Sequence, residues 1–332
     1  MTQSANAPTV PLDVAIMTAY SWSTGRTQQI DYVSPADSAG HIRELVQREG
    51  AAWSYEDLMA QPTGAPSADG TALIGYSWRG NGTKHVVYTS GDGHIHELSA
   101  GTVGMWQYTN VTQQANAPII EGATLTSFAW EAQESRYIAY ISGDGHIHEL
   151  AAGKDNKWQH TDVTEKTGTP DAGEDSSLVG YVWESQGNQN LIYTTDEGRI
   201  YALTAAKDGT WKSTDLLEQT QAPKAFGSAL AGYVWTTGNA QQVTYMSEDG
   251  HIQELSAGTD GTWSHTDVTQ TTNAPIAVND IIVGFEWSSA FAKQIVYLDR
   301  AENPHLHELM LEHGSAWKHT DITTLTGASD LV

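Results

Sequence analysis

The chain has 332 residues, 40 acidic against 16 basic side chains for a formal charge of −24, and no cysteine. The missing cysteine removes disulfides, thiolate metal sites and a cysteine nucleophile, and acidic charge without a basic cluster excludes nucleic acid and anionic membrane, both of which are held by clustered Lys and Arg. No basic and apolar leader opens the sequence and no run reaches a membrane-spanning length, so a soluble, cytoplasmic protein is expected.

Read from the N-terminus, one unit recurs six times, over approximately residues 14–66, 67–118, 119–170, 171–223, 224–275 and 276–327, and a single domain covering 1–332 is expected. Each copy carries two tryptophans. The first closes segments such as "GYSW", "SFAW" or "GYVW", at Trp22, Trp78, Trp130, Trp183, Trp235 and Trp287, spaced 52 to 56 residues apart. The second opens "WSYEDL", "WQYTNV", "WQHTDV", "WKSTDL", "WSHTDV" and "WKHTDI", at Trp53, Trp106, Trp158, Trp211, Trp263 and Trp317. Copy three shows four strand-like segments, "LTSFAW", "RYIAYIS", "HIHELAA" and "KWQHTDVT", joined by turn chemistry such as "GDG" and "AGKDN". Connections this short make hairpins. Four antiparallel strands repeated six times predict an all-β fold, a six-bladed β-propeller with four antiparallel strands per blade, whose radial repetition shields strand edges. Copies one and six are irregular, with longer turns at "SPADSAGH" and "DRAENPH". The N-terminal "ANAPTVP" resembles the linker "TNAPIAV" and the C-terminal "TLTGASDLV" resembles "QPTGAPSADG", so a ring is expected to close there.

The third strands read "HIREL" from His41, "HIHEL" from His94 and from His146, "RIYAL" from Arg199, "HIQEL" from His251 and "HLHEL" from His305. Residues two apart in a strand share a face, so the two histidines of each pair lie together. Two imidazoles with a third from "WxH" (His160 or His319) would make a metal site with an open position. A ligand contact and a hydrogen-bonding wedge between blades are the other readings. Free exchange argues against metal: copy four has neither histidine, copy five has Gln253, and the "WxH" slot holds Tyr55, Tyr108 and Ser213 in other copies. No metal and no cofactor are expected. The tryptophans, with Tyr20, Tyr76, Tyr181, Tyr233, Phe128 and Phe285 in the "Y-x-W" position, read as core; the second tryptophan series could alternatively stack on a sugar ring.

The unit "QxxYxSxDGHIHELxAGxxGxW" resembles the blade of the fungal fucose-specific lectins, six-bladed propellers with repeats like "IRVYYQ-DGKIREYCWDG-GW", across essentially the whole chain. The resemblance implies sugar held between adjacent blades by an arginine of the second strand, a glutamate of the third and aromatic rings. The glutamate slot holds Glu44, Glu97, Glu149, Glu254 and Glu308, with Ala202 in copy four. The arginine slot, two residues before the strand tyrosine, holds Ile30, Val86, Ile138, Leu191, Val243 and Ile295, which leaves such a pocket without its bidentate donor. A lectin-like branch recruited into secondary metabolism implies a second activity: cofactor-free hetero-Diels–Alder coupling, for instance of a tropolone-derived quinone methide with a sesquiterpene. Such a pericyclase needs an apolar cavity and a few fixed hydrogen-bond donors.

Multivalent binding keeps equivalent residues in every copy, whereas a single site breaks the repeat. Between the aromatic and the tryptophan of the first strand stand Ser21, Ser77, Ala129, Val182, Val234 and Glu286, the last being the one charge, able to act as acid or base if its pKa were raised. The third strand breaks at Arg43, Arg199, Tyr201 and Gln253. The candidate catalytic residues are therefore Glu286, Arg199 and Tyr201, and the candidate ligand contacts Arg43, Ser21, Ser77, Gln253, His96, His148 and His307. A small-molecule substrate or a glycan is the expected partner. No nucleophile elbow, phosphate loop or H-E-x-x-H motif is present.

Overall fold

The computed structural model describes residues 16–34, 40–60, 64–103, 105–173 and 176–327. The N-terminal "ANAPTVP", most of the "SPADSAGH" turn and the last five residues, on which ring closure was read, lie outside them. Contacts divide the chain into two compact units, residues 1–166 and 167–332.

The first unit holds three sheets, each with its strands in sequence order. Sheet one is β1 Met17–Trp22, β2 Thr27–Ser34, β3 His41–Arg48 and β4 Ser54–Asp57; sheet two is β5 Leu73–Trp78, β6 Thr83–Thr89, β7 Ile95–Ala100 and β8 Gln107–Asn110; sheet three is β9 Ile120–Trp130, β10 Ser135–Ser142, β11 Ile147–Gly153 and β12 Gln159–Asp162. The second unit repeats the pattern. Sheet four is β13 Leu178–Trp183, β14 Asn188–Thr194, β15 Ile200–Ala206 and β16 Trp211–Asp215; sheet five is β17 Ala225–Trp235, β18 Ala240–Ser247, β19 Ile252–Gly258 and β20 Trp263–Asp267; sheet six is β21 Ala277–Trp287, β22 Ala292–Asp299, β23 Leu306–Glu312 and β24 Lys318–Asp321. Six four-stranded antiparallel sheets match the sequence expectation. One feature was not read from sequence: after the fourth strand of sheets two to six comes a helical turn, α1 Val111–Ala115, α2 Val163–Thr167, α3 Leu216–Thr220, α4 Val268–Thr272 and α5 Ile322–Thr326. The side chain before each turn accepts a backbone N–H at N3, as Asp162 does from Glu165 at 2.8 Å.

The turns between second and third strands, "DG" at Gly93 and Gly250 and "EG" at Gly198, need glycine twice over. Gly93, Gly198 and Gly250 have φ of +76°, +72° and +83°, which costs glycine nothing. Their carbonyls also accept the N–H of the next sheet's first strand, from Ile120, Ala225 and Ala277, and a Cβ would meet the oxygens of those same residues at 2.9, 2.3 and 3.1 Å.

The core lies as slabs between neighbouring sheets of each unit, for example Val87, Ile95, Ile138, Tyr140 and Leu150 between sheets two and three. A second repeated device pins the linkers. The buried second-strand tyrosines Tyr88, Tyr140, Tyr193, Tyr245 and Tyr297 donate their hydroxyls to the carbonyls of Pro66, Pro118, Pro170, Pro223 and Pro275. Burial pushes these phenols up, so they stay neutral donors. Tyr140→Phe leaves the Pro118 carbonyl without its donor and is expected to lower stability by about 1–3 kcal/mol in urea unfolding.

Candidate functional site

Second strands are buried on both faces, so every polar residue on them needs a partner inside the slab. In the seam between sheets one and two, Lys84 of β6 crosses to Glu44 of β3, its Nζ 2.7 Å from Oε1. The ammonium also lies 5.5 and 4.6 Å from the ring centroids of Trp22 and Trp106. Arg136 of β10 repeats this between sheets two and three, with Nε and Nη2 each 3.0 Å from an oxygen of Glu97 and the guanidinium 5.4 and 4.7 Å from Trp78 and Trp158. Lys293 of β22 does so between sheets five and six, 2.6 Å from Glu254 Oε1 and 5.1 and 5.0 Å from Trp235 and Trp317. Each cation is therefore clamped between a tryptophan of the first series and one of the second, with a carboxylate of the preceding sheet at its head. At these three seams the second-series rings, Trp106, Trp158 and Trp317, stack on the chain's own cation.

The seam between sheets four and five is the informative exception. The glutamate position is Ala202 and the cation position is Gln241, whose Oε1 accepts from Tyr181 at 2.9 Å. Both charges are lost together, as a dry seam demands, because one alone would be a buried unpaired ion. The electrostatics follow partner count. Burial opposes ionisation of Glu97, but His85 and Arg136 outweigh it and hold the carboxyl at about 2. Glu254 has Lys293 on one oxygen and no hydrogen-bond partner for Oε2 among the described residues, so burial prevails and raises it. Burial likewise lowers Lys293, with Glu254 opposing.

These seams correct one sequence inference. The apolar residues of the expected arginine slot are fully buried at Val86, Ile138 and Ile295, yet the seams do contain cations. They sit two residues earlier, on the same strand face, in a slot reading Gln28, Lys84, Arg136, Gln189, Gln241 and Lys293. A polar residue in every copy within a buried strand was the available signal.

The histidines form ladders inside each sheet, not wedges between sheets. The first histidine of the strand reaches the following turn: His146, His251 and His305 place Nδ1 2.7, 2.7 and 2.8 Å from Oδ2 of the capping Asp162, Asp267 and Asp321, whereas His94 Nδ1 lies 2.7 Å from Thr112 Oγ1. The second is buried and its tautomer is set by its neighbours. Ser142 gives its one proton to Asp144, so His148 Nε2–H must donate to Ser142 Oγ at 2.8 Å, leaving Nδ1 to accept from His160 Nε2–H at 2.8 Å. His96 does the same between Ser90 and Tyr108. Gln253 reproduces the pattern with an amide, Nε2 donating to Ser247 Oγ and Oε1 accepting from His265. That equivalence explains why His and Gln interchange. His307 lies 3.2 Å from Asp299 and 2.9 Å from His319. Among the described residues no group of three or more metal-ligating side chains is arranged to hold an ion.

Of the expected ligand contacts, His96, His148, His307, Gln253 and Arg43 are thus buried among partners of their own sheet; Arg43 pairs with Asp57 and lies over the Tyr55 ring. Ser77 stands opposite Lys84 across the β5–β6 pair. Ser21 lines an open cleft of about 520 Å³ with Trp22, Arg26 and Gln47. Of the three catalytic candidates, Arg199 and Tyr201 meet at an open cleft of about 600 Å³ that includes Asp215, Glu218 and Lys224. Arg199 donates Nε to Asp215 Oδ2 at 2.6 Å and Nη2 to the same oxygen, replacing the His–Asp pair of other copies. Glu286 is elsewhere, on β21, accepting from Thr236 Oγ1 at 2.6 Å and Thr237 N at 3.2 Å. Its pKa is not raised: partial burial opposes ionisation, but these donors lower it and keep Glu286 a carboxylate, the reverse of what a general acid needs.

No protein-family model and no curated protein sequence matches the chain. Solved structures do. BP39L lectin from Burkholderia pseudomallei superposes with a TM-score of 0.71 at 11% identity, covering 95% of this chain and 87% of that one. AofleA from Arthrobotrys oligospora gives 0.56 at 15% identity, covering 93% and 87%. Aleuria aurantia lectin, described as a six-bladed β-propeller with a fucose recognition mode, gives 0.53 at 14% identity, covering 94% and 96%. The fold class is therefore all-β, that of the six-bladed β-propeller lectins. No described helix is long and apolar enough to cross a membrane.

Proposed function

We propose that this lectin-like propeller serves one small organic ligand at a site where its copies differ, and that its activity is cofactor-independent catalysis of the pericyclase type, a hetero-Diels–Alder coupling such as that of a tropolone quinone methide with a sesquiterpene. The observation that carries the reading is the filling of three seams by Lys84, Arg136 and Lys293. Where the resemblance would seat a sugar between tryptophan and glutamate, this chain seats its own side chain. What remains distinctive is copy four, where Arg199 and Tyr201 line a cleft of about 600 Å³. Arg199 has five N–H donors and commits two groups to Asp215; a further donor toward a carbonyl is the polarisation such a coupling requires.

A second reading, a carbohydrate-binding lectin of altered specificity, is favoured by the neighbours, one of which is a mutant of Aleuria aurantia lectin in complex with α-methyl-L-fucoside. Titration calorimetry with α-methyl fucoside and a glycan panel separates the two. The first reading expects no multivalent sugar binding, and loss of coupling activity by about 10²–10³-fold in Arg199→Ala. Several equivalents of sugar per chain would establish the lectin and end the pericyclase reading.

A further inference from the structure

We infer that the seam between sheets one and two holds a resident proton at neutral pH, carried by the Asp31 and Glu44 carboxyl pair. Asp31 occupies the second-strand position that faces the glutamate slot across the β2–β3 register. The matching residues in the other copies are Val87, Ala139, Ile192, Thr244 and Val296, none of them charged. Directly opposed strand residues have Cβ atoms about 4.5–5.5 Å apart, so two carboxyl groups share one dry space, and both residues are 0% exposed.

The charge count separates this seam from the others. Between sheets five and six Glu254 meets Lys293, and between two and three Glu97 meets Arg136 and the His85 imidazole, so neither seam has more carboxyls than partners. Here two carboxyls meet one ammonium, and Lys84 directs Nζ to both oxygens of Glu44. Among the described residues only the Tyr20 hydroxyl is turned to Asp31, and no cation reaches either of its oxygens. The remaining neighbours bring no second positive charge: Tyr20 of β1 lies 3.5 Å from Glu44, Gln29 of β2 is a neutral amide, Glu56 of β4 adds negative charge beside Glu44, and Gly75 of β5 brings backbone so close that a Cβ would stand 3.0 Å from Asp31 Oδ2. Two like charges in a low dielectric cannot both persist. Burial first, then Glu44, drives the Asp31 carboxyl well above its ordinary range, with Lys84 and Tyr20 opposing. The consequence is an alkali-sensitive joint: withdrawing the proton leaves a net negative seam with nothing to neutralise it.

The sign follows from proton counting. The folded chain keeps a proton that the unfolded chain releases near pH 3.8, so this pair's contribution to stability declines as pH rises toward the folded value. Between pH 7 and 9 the unfolding constant of the native chain should rise by up to tenfold per pH unit relative to Asp31→Asn, which carries the same histidines, measured by urea unfolding. Infrared difference spectra at pH 7 should show a protonated carboxyl C=O band, shifted in D2O, that Asp31→Asn removes. Asp31→Val, carrying the residue copy two uses at Val87, should give both results and serves if the amide variant does not fold. Parallel pH dependence of native and variant chains, or the absence of a variant-sensitive C=O band, overturns the inference.

Discussion

Replacing Arg136 with alanine is expected to cost the fold about 3–5 kcal/mol, read as a lowered urea midpoint, because it takes the bidentate partner from Glu97 in a dry seam and leaves only His85 and Tyr76 against its charge. Arg136 is 1% exposed and Glu97 2%, and the pair is bidentate with a tryptophan face on either side of the guanidinium. Loss of the side chain also leaves a cavity between Trp78 and Trp158 that the flanking sheets cannot fully close. The chain itself contains the compensated version. Between sheets four and five the same three positions are Ala202, Gln241 and Asn190, neutral throughout, with Tyr181 bonded to the Gln241 amide. Combining Arg136→Gln with Glu97→Ala and His85→Asn should therefore recover most of what Arg136→Ala loses, since Tyr76, which donates to Glu97 at 3.0 Å, can turn to the amide. A loss under about 1 kcal/mol in Arg136→Ala, or a triple variant no better than the single one, would mean that the clamp is not what closes this seam.

How much of this was open to reading depends on the range of the interaction. The six sheets were legible because the "Y-x-W" strand ends and "DG" turns are local signals repeated at fixed spacing. The faces of His94 and His96 followed from strand alternation, but their partners Thr112, Ser90 and Tyr108 lie across a turn or a hairpin whose register no single copy reveals. The helical turns were signalled by Asp162, Asp215, Asp267 and Asp321 in the cap position, a cue masked by the strand-like "W-x-x-T-D" before it. The seam cations were hidden differently. Their pairing links the second strand of one copy to the third strand of the copy before, so aligning copies position by position compares Glu97 with Glu44 and Arg136 with Lys84 and never Glu97 with Arg136. Offsetting the copies by one unit would have shown Ala202 losing its charge together with Gln241. The blade-four cleft was partly legible, since Arg199 and Tyr201 broke a pattern, whereas Glu286 broke one for a reason no single copy shows: it accepts from the turn at Thr236 and Thr237 of the preceding sheet.

Acidification should destabilise the protein well before its carboxylates titrate, with the loss beginning near pH 6.5 and continuing toward pH 4. Burial lowers the pKa of His96, His148, His160, His265 and His319, and the ladder shows why a proton is unwelcome. In His148 one ring nitrogen already donates to Ser142 and the other accepts, so an imidazolium would turn a donor against the His160 N–H; at His96, whose Tyr108 neighbour is a hydroxyl, burial is what opposes the charge. The unfolded chain protonates these rings near 6.5, whereas His96 in the fold does so only at about 4. Between those values the unfolded state binds more protons, so stability rises with pH and is lost as pH falls. For His96, which is 1% exposed, the contribution present above pH 6.5 and surrendered by pH 4 is about 3 kcal/mol. His96→Gln isolates it. The amide keeps a donor for Ser90 and an acceptor for Tyr108, as Gln253 does with Ser247 and His265, and it has no proton to gain. The variant should match the native chain at pH 7.5 and surpass it progressively below pH 6.5 in urea midpoint. Parallel acid limbs would show that the ladder accepts a proton in the folded state, and the tautomer assignment would then be mistaken.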